Sequence, residues 1–306
     1  VSSAPVRLGL IGAGRWGRNI IRTTGESRGA ALARVASRNP ETRRLVPPNC
    51  AVDADWRRVV DDPTLEGVIL AVPPRVQPSI VGSAIAAGRP VMVEKPLALS
   101  VAEAEDIERR AQAARVAVLV DHVYLFHPAW AALVGLSRQA GRLRRIRAIG
   151  GGLGPFRNDC PVLWDWAPHD VAMCLDLIGT APDRVAARRL RTARTEHGTG
   201  EILALDLGFG DATAEIEIGN VMATRVRRFE AVYDETTLVF DDAASEPLIQ
   251  NGAPVRIAVR PPLACAIDAF VDGIRSRATN HPSLALGVEV VKAIARCDAA
   301  LPPTTT

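Results

Sequence analysis

Arg7-Leu8-Gly9-Leu10-Ile11-Gly12-Ala13-Gly14-Arg15-Trp16-Gly17 decides how this chain folds. A short apolar strand runs directly into G-x-G-x-x-G. In that order Gly12 permits a tight turn, Gly14 lets a pyrophosphate approach the backbone, and Gly17 lets a helix pack closely on the strand. The helix that follows offers unpaired N–H groups and the positive end of its dipole to phosphate. The spacing alone is a weak signal, since Gly-rich turns also arise for structural reasons. Placed at the first strand of a βαβ pattern, it predicts a dinucleotide site with Gly12, Gly14, Arg15, Trp16 and Gly17 around the phosphates.

Working outward, apolar runs at 6–11, 31–36, 67–72, 90–93 and 116–120 alternate with helical patterns at 15–24, 56–60, 76–87 and 101–114. Ser100 and Glu103 have the spacing of a capping box, and Gly88 suits a helix stop. Near-continuous apolar strands separated by helices predict an N-terminal Rossmann domain, a doubly wound parallel sheet covered on both faces, over residues 1–122. Beyond 123 the rhythm changes. Helical segments at 128–138 and 166–178 bracket a strand near 143–151. Period-two runs then follow at 202–209, 212–218, 223–233 and 237–240, and helical patterns at 263–275 and 284–300 complete the pattern. Residues 123–306 are therefore expected to form an α+β domain on a largely antiparallel open sheet, giving an α/β protein of two domains.

Composition narrows the class. The chain has 306 residues, 48% hydrophobic, with a formal net charge of +3. That suits a globular protein, and the basic excess is too small to point to nucleic acid. The run Arg142-Leu143-Arg144-Arg145-Ile146-Arg147 reads as a strand with one solvated face or as part of an anion site. Five scattered cysteines without a C-x-x-C pair suggest reduced thiols. No run reaches membrane-spanning length and no leader pattern precedes the first strand, so a cytoplasmic protein with no membrane partner is expected. Both termini are expected to be loose ends.

The end of the second strand selects between dinucleotides. An acid there binds the ribose 2′-hydroxyl, whereas an Arg accommodates a 2′-phosphate. This chain has Ser37-Arg38 and no acid, which favours NADP(H), with NAD(H) as the alternative if Arg38 stacks on adenine or points to solvent. The fifth strand ends in Glu94-Lys95-Pro96. A Lys at the end of a parallel strand projects into the ligand crevice, although a plain Glu–Lys ion pair is the simpler reading.

The second constellation is Trp164-Asp165-Trp166-Ala167-Pro168-His169-Asp170. Asp165 and His169 share a helical face and Asp170 is turned away. Pro168 predicts a helix starting near Asp165, which would hold His169 in the positive half of the dipole as a neutral base. A cap at Asp165 and a packed His169 would explain the same residues. No His, Cys or carboxylate spacing suggests a metal.

These pieces together resemble the Gfo/Idh/MocA oxidoreductases over nearly the whole chain: G-A-G-R-W-G at 12–17, Ala71-Val72-Pro73-Pro74, Glu94-Lys95-Pro96 and Asp165-x-x-x-His169. The resemblance implies that Lys95, Asp165 and His169 are catalytic, lining the site where a nicotinamide meets a sugar or cyclitol hydroxyl, and that Ala71, Pro73, Gln77, Glu94 and Lys95 lie around the cofactor. Gly14-Arg15-Trp16-Gly17-Arg18-Asn19, Val120-Asp121-His122, and Leu163-Trp164-Asp165 with Pro168-His169-Asp170 look most like members acting on nucleotide-linked sugars. His122, Tyr124, Arg157 and Asn158 are candidate substrate contacts. Two departures stand out: Trp166-Ala167-Pro168 where the family often has a Gly, and Gln77 where it often has a His. The implied activity is NAD(P)-dependent interconversion of a secondary alcohol and a ketone on a sugar-like molecule by a homo-oligomer, dimer or tetramer. An imine or biliverdin-type reductase, and a non-catalytic NAD(P)-binding sensor, are the rivals.

Overall fold

The computed structural model describes residues 4–258 and 260–302. The termini expected to be loose lie in part outside them. In chain order the elements begin with β1 (Val6–Ile11), α1 (Arg15–Glu26), β2 (Ala30–Ala36), β3 (Ala51–Asp53), α2 (Arg57–Val60), β4 (Gly67–Leu70), α3 (Gln77–Ala86), β5 (Val91–Glu94), α4 (Val101–Ala114) and β6 (Val118–Asp121). There follow α5 (Pro128–Ser137), β7 (Leu143–Leu153), α6 (Val162–Ile178), β8 (Arg184–Thr195), β9 (Gly198–Phe209), β10 (Ala212–Gly219), β11 (Val221–Tyr233) and β12 (Thr237–Asp241). The chain closes with β13 (Leu248–Gln250), β14 (Ala253–Pro254), α7 (Pro262–Arg275) and α8 (Pro282–Ala300).

Strands β1 to β6 form one sheet in the order β3-β2-β1-β4-β5-β6, and every neighbouring pair is parallel. The order reverses between β1 and β4, which creates a crevice at the carboxyl ends of the strands. Leu8, Leu10, Val68, Leu70, Val91, Met92, Val93, Val118 and Val120 are fully buried. Apolar character on both sides of each strand is what a sheet covered by helices on both faces needs. The expected capping box forms: Ser100 Oγ accepts from Glu103 N at 3.3 Å and lies 2.9 Å from Glu103 Oε2.

Two compact units divide the chain, and they differ from the expected cut at 122/123. The first comprises the residues through Val123 together with Pro261–Val288, and the second comprises 124–260 and the residues from Glu289 onward. Helix α7 explains the difference. It buries Leu263, Ala266, Ile267, Phe270 and Val271 and packs against α1, β1 and β2. A Cβ on Gly67 would come within 2.6 Å of Ile274 and 2.9 Å of Phe270, so β4 begins with the residue that makes room for α7. The start of α8 joins the same unit, with Val120 N donating to Ser283 Oγ at 2.9 Å.

In the second unit eight strands run in the order β14-β13-β12-β11-β7-β10-β9-β8. Neighbours are antiparallel except β10 and β7, which are parallel. Ala214, Ile216 and Ile218 of β10 and Phe229, Ala231 and Tyr233 of β11 are buried, and most residues between them are not. Helices α5 and α6 cover that apolar face. Strand β8 was absent from the sequence reading. It is an edge strand without a buried residue, and it bonds to β9 through pairs such as Arg188–Asp206 and Arg189–Glu201. Charge on an edge guards it against further pairing and also erases its apolar alternation.

Candidate active site

The first unit holds a dinucleotide cradle. Gly12 adopts φ 98°, and a Cβ there would sit 2.2 Å from the Ala71 carbonyl oxygen. A Cβ on Gly17 would lie 2.1 Å from the Gly12 oxygen, so α1 packs on the turn only because Gly17 has none. Gly14, the residue before α1, is exposed, and a Cβ there would meet nothing within 4 Å. No side chain caps this helix start. Open space over unpaired N–H groups fits a pyrophosphate. Arg15 is exposed, Trp16 half-buried, and Ala71 and Pro73 lie just beyond β4.

At the end of β2, Ser37 and Arg38 part ways. The Ser37 hydroxyl accepts from Asn39 N at 3.2 Å and lies 2.8 Å from Thr42 Oγ1. Arg38 is exposed, with no ion pair among the described residues. Nearby Arg34 is already held by Asp53 at 2.5 Å and Asp62 at 2.8 Å.

Strand β5 delivers Glu94 and Lys95, both half-buried, into a turn with a cis Lys95–Pro96 peptide. Gln77, expected against the cofactor, has its amide nitrogen engaged by the turn. It is 1% exposed, and its amide nitrogen donates to the carbonyls of Glu94 (2.8 Å) and Pro96 (2.7 Å), with Leu97 O at 3.2 Å. It pins the Lys95 turn from beneath. Trp16 Nε1 donates to Glu94 Oε1, so the Gly-rich loop is tied to the same turn. Asp121 of β6 is the register partner of Glu94, and burial lifts its carboxyl to about 7 against the opposing pull of Glu94 and Lys95. His122 is buried, with neither ring nitrogen hydrogen-bonded among the described residues. Burial, and then Lys95, push it down to about 3, so it stays neutral.

The second unit presents α6. The helix begins at Val162, three residues before the expected start, with Asp165 N donating to Pro161 O at 2.9 Å, and Pro168 lies inside it. Burial of Leu163, Trp164, Ala167, Val171 and Met173 outweighs the proline's missing N–H. His169 thus lies about two turns from the helix start, beyond the reach of the terminal dipole. Asp165 is buried and His169 half-buried on one face.

Asp170 faces the sheet, where it forms a buried ion pair with Arg227 of β11. A Cβ on Gly150 would sit 2.3 Å from Arg227 Nη1, so β7 is bare there to admit the pair. The Arg227 guanidinium lies 4.8 Å from the centroid of Tyr124, whose ring meets His169 edge-on at 4.9 Å. Arg227, an interior cation in an alternating strand, was missed by the sequence reading; its partner stands 57 positions away.

Arg157 makes a two-pronged pair with Asp159 (3.0 and 2.9 Å) and lies 3.6 Å from Asp165. Asp159, then Asp165, hold its charge. A cleft of about 220 Å³ is lined by Arg157, Cys160, Asp165, Trp166, Thr199 and Glu201. Asn158 is exposed and does not line it. Among the described residues no His, Cys, Asp and Glu cluster has the form of a metal site.

Residues 6–122 match an oxidoreductase family with an NAD-binding Rossmann fold, Gfo/Idh/MocA. Inositol 2-dehydrogenase 4 of Saccharopolyspora erythraea is 30% identical over 294 residues, 80% of this chain and 87% of that protein. The chain belongs to the Gfo/Idh/MocA oxidoreductase family. A solved structure from Magnetospirillum magnetotacticum MS-1, assigned only to the oxidoreductase class, is 40% identical with a TM-score of 0.91, covering 96% of this chain and all of that one. UDP-N-acetylglucosamine 3-dehydrogenase from Acidithiobacillus ferrooxidans shares the fold, with a TM-score of 0.80 at 22% identity and 98% coverage of both chains. No described helix of this Gfo/Idh/MocA protein is long and apolar enough to cross a membrane.

Proposed function

We propose that this oxidoreductase interconverts a secondary alcohol and a ketone on a sugar, nucleotide-linked sugar or cyclitol, and that NADP(H) is its preferred dinucleotide. The observation that carries the reading is the Lys95 turn. The Gln77 amide holds its backbone carbonyls and Trp16 joins Glu94 to the Gly-rich loop, an arrangement that fixes Lys95 at the carboxyl end of β5. A plain surface ion pair needs no such support. The inositol dehydrogenase relative supports a polyhydroxylated substrate, and the exposed Arg38 supports a 2′-phosphate.

The dinucleotide supplies or accepts hydride. In oxidation His169 takes the hydroxyl proton, and in reduction it returns one. Lys95 stabilises the developing alkoxide charge, and Asp165 orients His169 or binds an adjacent hydroxyl. Asp165 and Arg157 line the 220 Å³ cleft, which has the acceptors and donors that a polyol requires. His169→Ala is expected to lower kcat by about 10²–10⁴ with dinucleotide affinity unchanged. Turnover at the parent rate would remove His169 from the reaction. We also propose a homo-oligomer, supported by the open face of the second sheet. There Arg147, Arg188, Asp206, Glu215, Arg228 and Glu230 line a depression of about 320 Å³. A single-chain mass in sedimentation would contradict that.

A further inference from the structure

His169 and Asp170 are consecutive on α6, and each is met by a side chain from elsewhere in the second unit. Asp170 pairs with Arg227 of β11, and both are buried. The Arg227 guanidinium carbon lies 4.8 Å from the centroid of the Tyr124 ring. That is inside the roughly 6 Å over which a cation is drawn to an aromatic face. The Tyr124 and His169 rings stand 4.9 Å apart with 82° between their planes, the edge-on arrangement that aromatic pairs prefer. The four side chains close a circuit that begins and ends on α6.

Tyr124 is also held from a third side. It stands in the turn Val123–Phe126 ahead of α5, where its carbonyl accepts from His127 N at 3.1 Å. Phe240 of β12 lies 6.4 Å from its ring. Phe240 is fully buried and packs edge-on against His127 at 5.1 Å and Trp130 at 6.2 Å, and Trp130 meets Phe229 at 5.0 Å. An aromatic ladder thus rises from the core of the second unit and ends in two half-buried rings, Tyr124 and His169. These contacts engage the Tyr124 ring. An imidazole on a helix turns about two single bonds, whereas a catalytic group must be held to within about 10–20° of its productive direction.

We infer that Tyr124 is a positioning residue for His169: its ring, fixed by Arg227 and the aromatic ladder, sets the direction of the imidazole. The ring does this work and the hydroxyl does not. This role differs from the substrate contact expected of Tyr124 from the sequence. The inference rests on His169 as the acid–base group of the proposed reaction.

The test compares the parent with Tyr124→Leu, which removes the ring, and Tyr124→Phe, which restores the ring without the hydroxyl. If Tyr124→Leu does not fold, Tyr124→Met takes its place. The first readout is the NMR signal of the His169 ring in the ligand-free full chain, assigned by its loss in His169→Gln. The ring current of Tyr124 is expected to displace that signal in the parent. Tyr124→Phe should keep the displacement, and Tyr124→Leu should return the signal to the position of an unstacked histidine. The second readout is kcat and KM for myo-inositol, glucose and UDP-N-acetylglucosamine with NADP⁺ and with NAD⁺. A misplacement of about 1 Å costs on the order of 10²-fold in rate, so Tyr124→Leu should lose about 10–100-fold in kcat with KM little changed. Tyr124→Phe should recover most of that loss. Parent-like kcat in Tyr124→Leu, or a loss in Tyr124→Phe as deep as in Tyr124→Leu, would overturn the inference, and the second result would point to the hydroxyl. No turnover of any of the three alcohols by the parent would instead count against the proposed function. The NMR comparison would then still judge the positioning: a His169 signal that does not move in Tyr124→Leu overturns it.

Discussion

Single residues in this chain are chosen by what their neighbours leave room for. Gly17 is glycine because the Gly12 carbonyl oxygen occupies the place of its Cβ, and Gly150 is glycine because Arg227 does. The first was legible from spacing, since the contact is local and the turn recurs. The second was not, because the guanidinium arrives from another strand. Gln77 teaches the same lesson. Its position after β4 suggested a cofactor contact, but spacing does not reveal which way an amide turns, and its nitrogen donates to the Lys95 loop. Arg38 carries the test of cofactor choice. A charge-assisted contact to a 2′-phosphate is worth about 1.5–3 kcal/mol, so Arg38→Ala should weaken NADP⁺ roughly 10–100-fold and leave NAD⁺ unchanged. Equal losses for the two dinucleotides would contradict a 2′-phosphate role.

Among the elements, the parallel strands were readable because burial on both faces leaves continuous apolar runs. Strand β8 was not, since an arginine-rich edge shows no such run. Helix α6 began earlier than Pro168 suggested, because its buried face against the sheet outweighs one absent hydrogen bond. That helix is fastened to β11 by Asp170 and Arg227, where burial pushes the Asp170 carboxyl up and the guanidinium opposes it. Removing one partner strands the other charge in the interior. Arg227→Ala should therefore cost about 3–5 kcal/mol of stability in denaturant unfolding. Arg227→Met with Asp170→Leu together should recover most of it, because an apolar pair of similar size leaves no buried charge. A loss below about 1 kcal/mol for Arg227→Ala would show that water reaches Asp170.

For the whole molecule, alternation of strands and helices announced two domains, yet the sequence division misassigned α7. Its apolar stripe identifies a helix that must be covered, and periodicity does not say by which sheet. Phe270 and Ile274 against Gly67 supply the answer. The candidate chemistry was legible in both units because Glu94-Lys95-Pro96 and Asp165-x-x-x-His169 are local motifs. Their supports (Gln77, Trp16, Arg227) act across strands and emerged only from the fold. We propose hydride transfer from a polyhydroxylated alcohol with Lys95 essential. It is tested most directly by following reduced-nicotinamide absorbance with NADP⁺ and NAD⁺ against a panel of sugars, nucleotide-linked sugars and cyclitols, for the parent and for Lys95→Ala. Turnover by the parent on at least one such alcohol is expected, with a loss of several orders of magnitude in kcat for Lys95→Ala and dinucleotide affinity little changed. Undiminished turnover by Lys95→Ala, or reduction of an imine or a linear tetrapyrrole with no alcohol accepted, would contradict it.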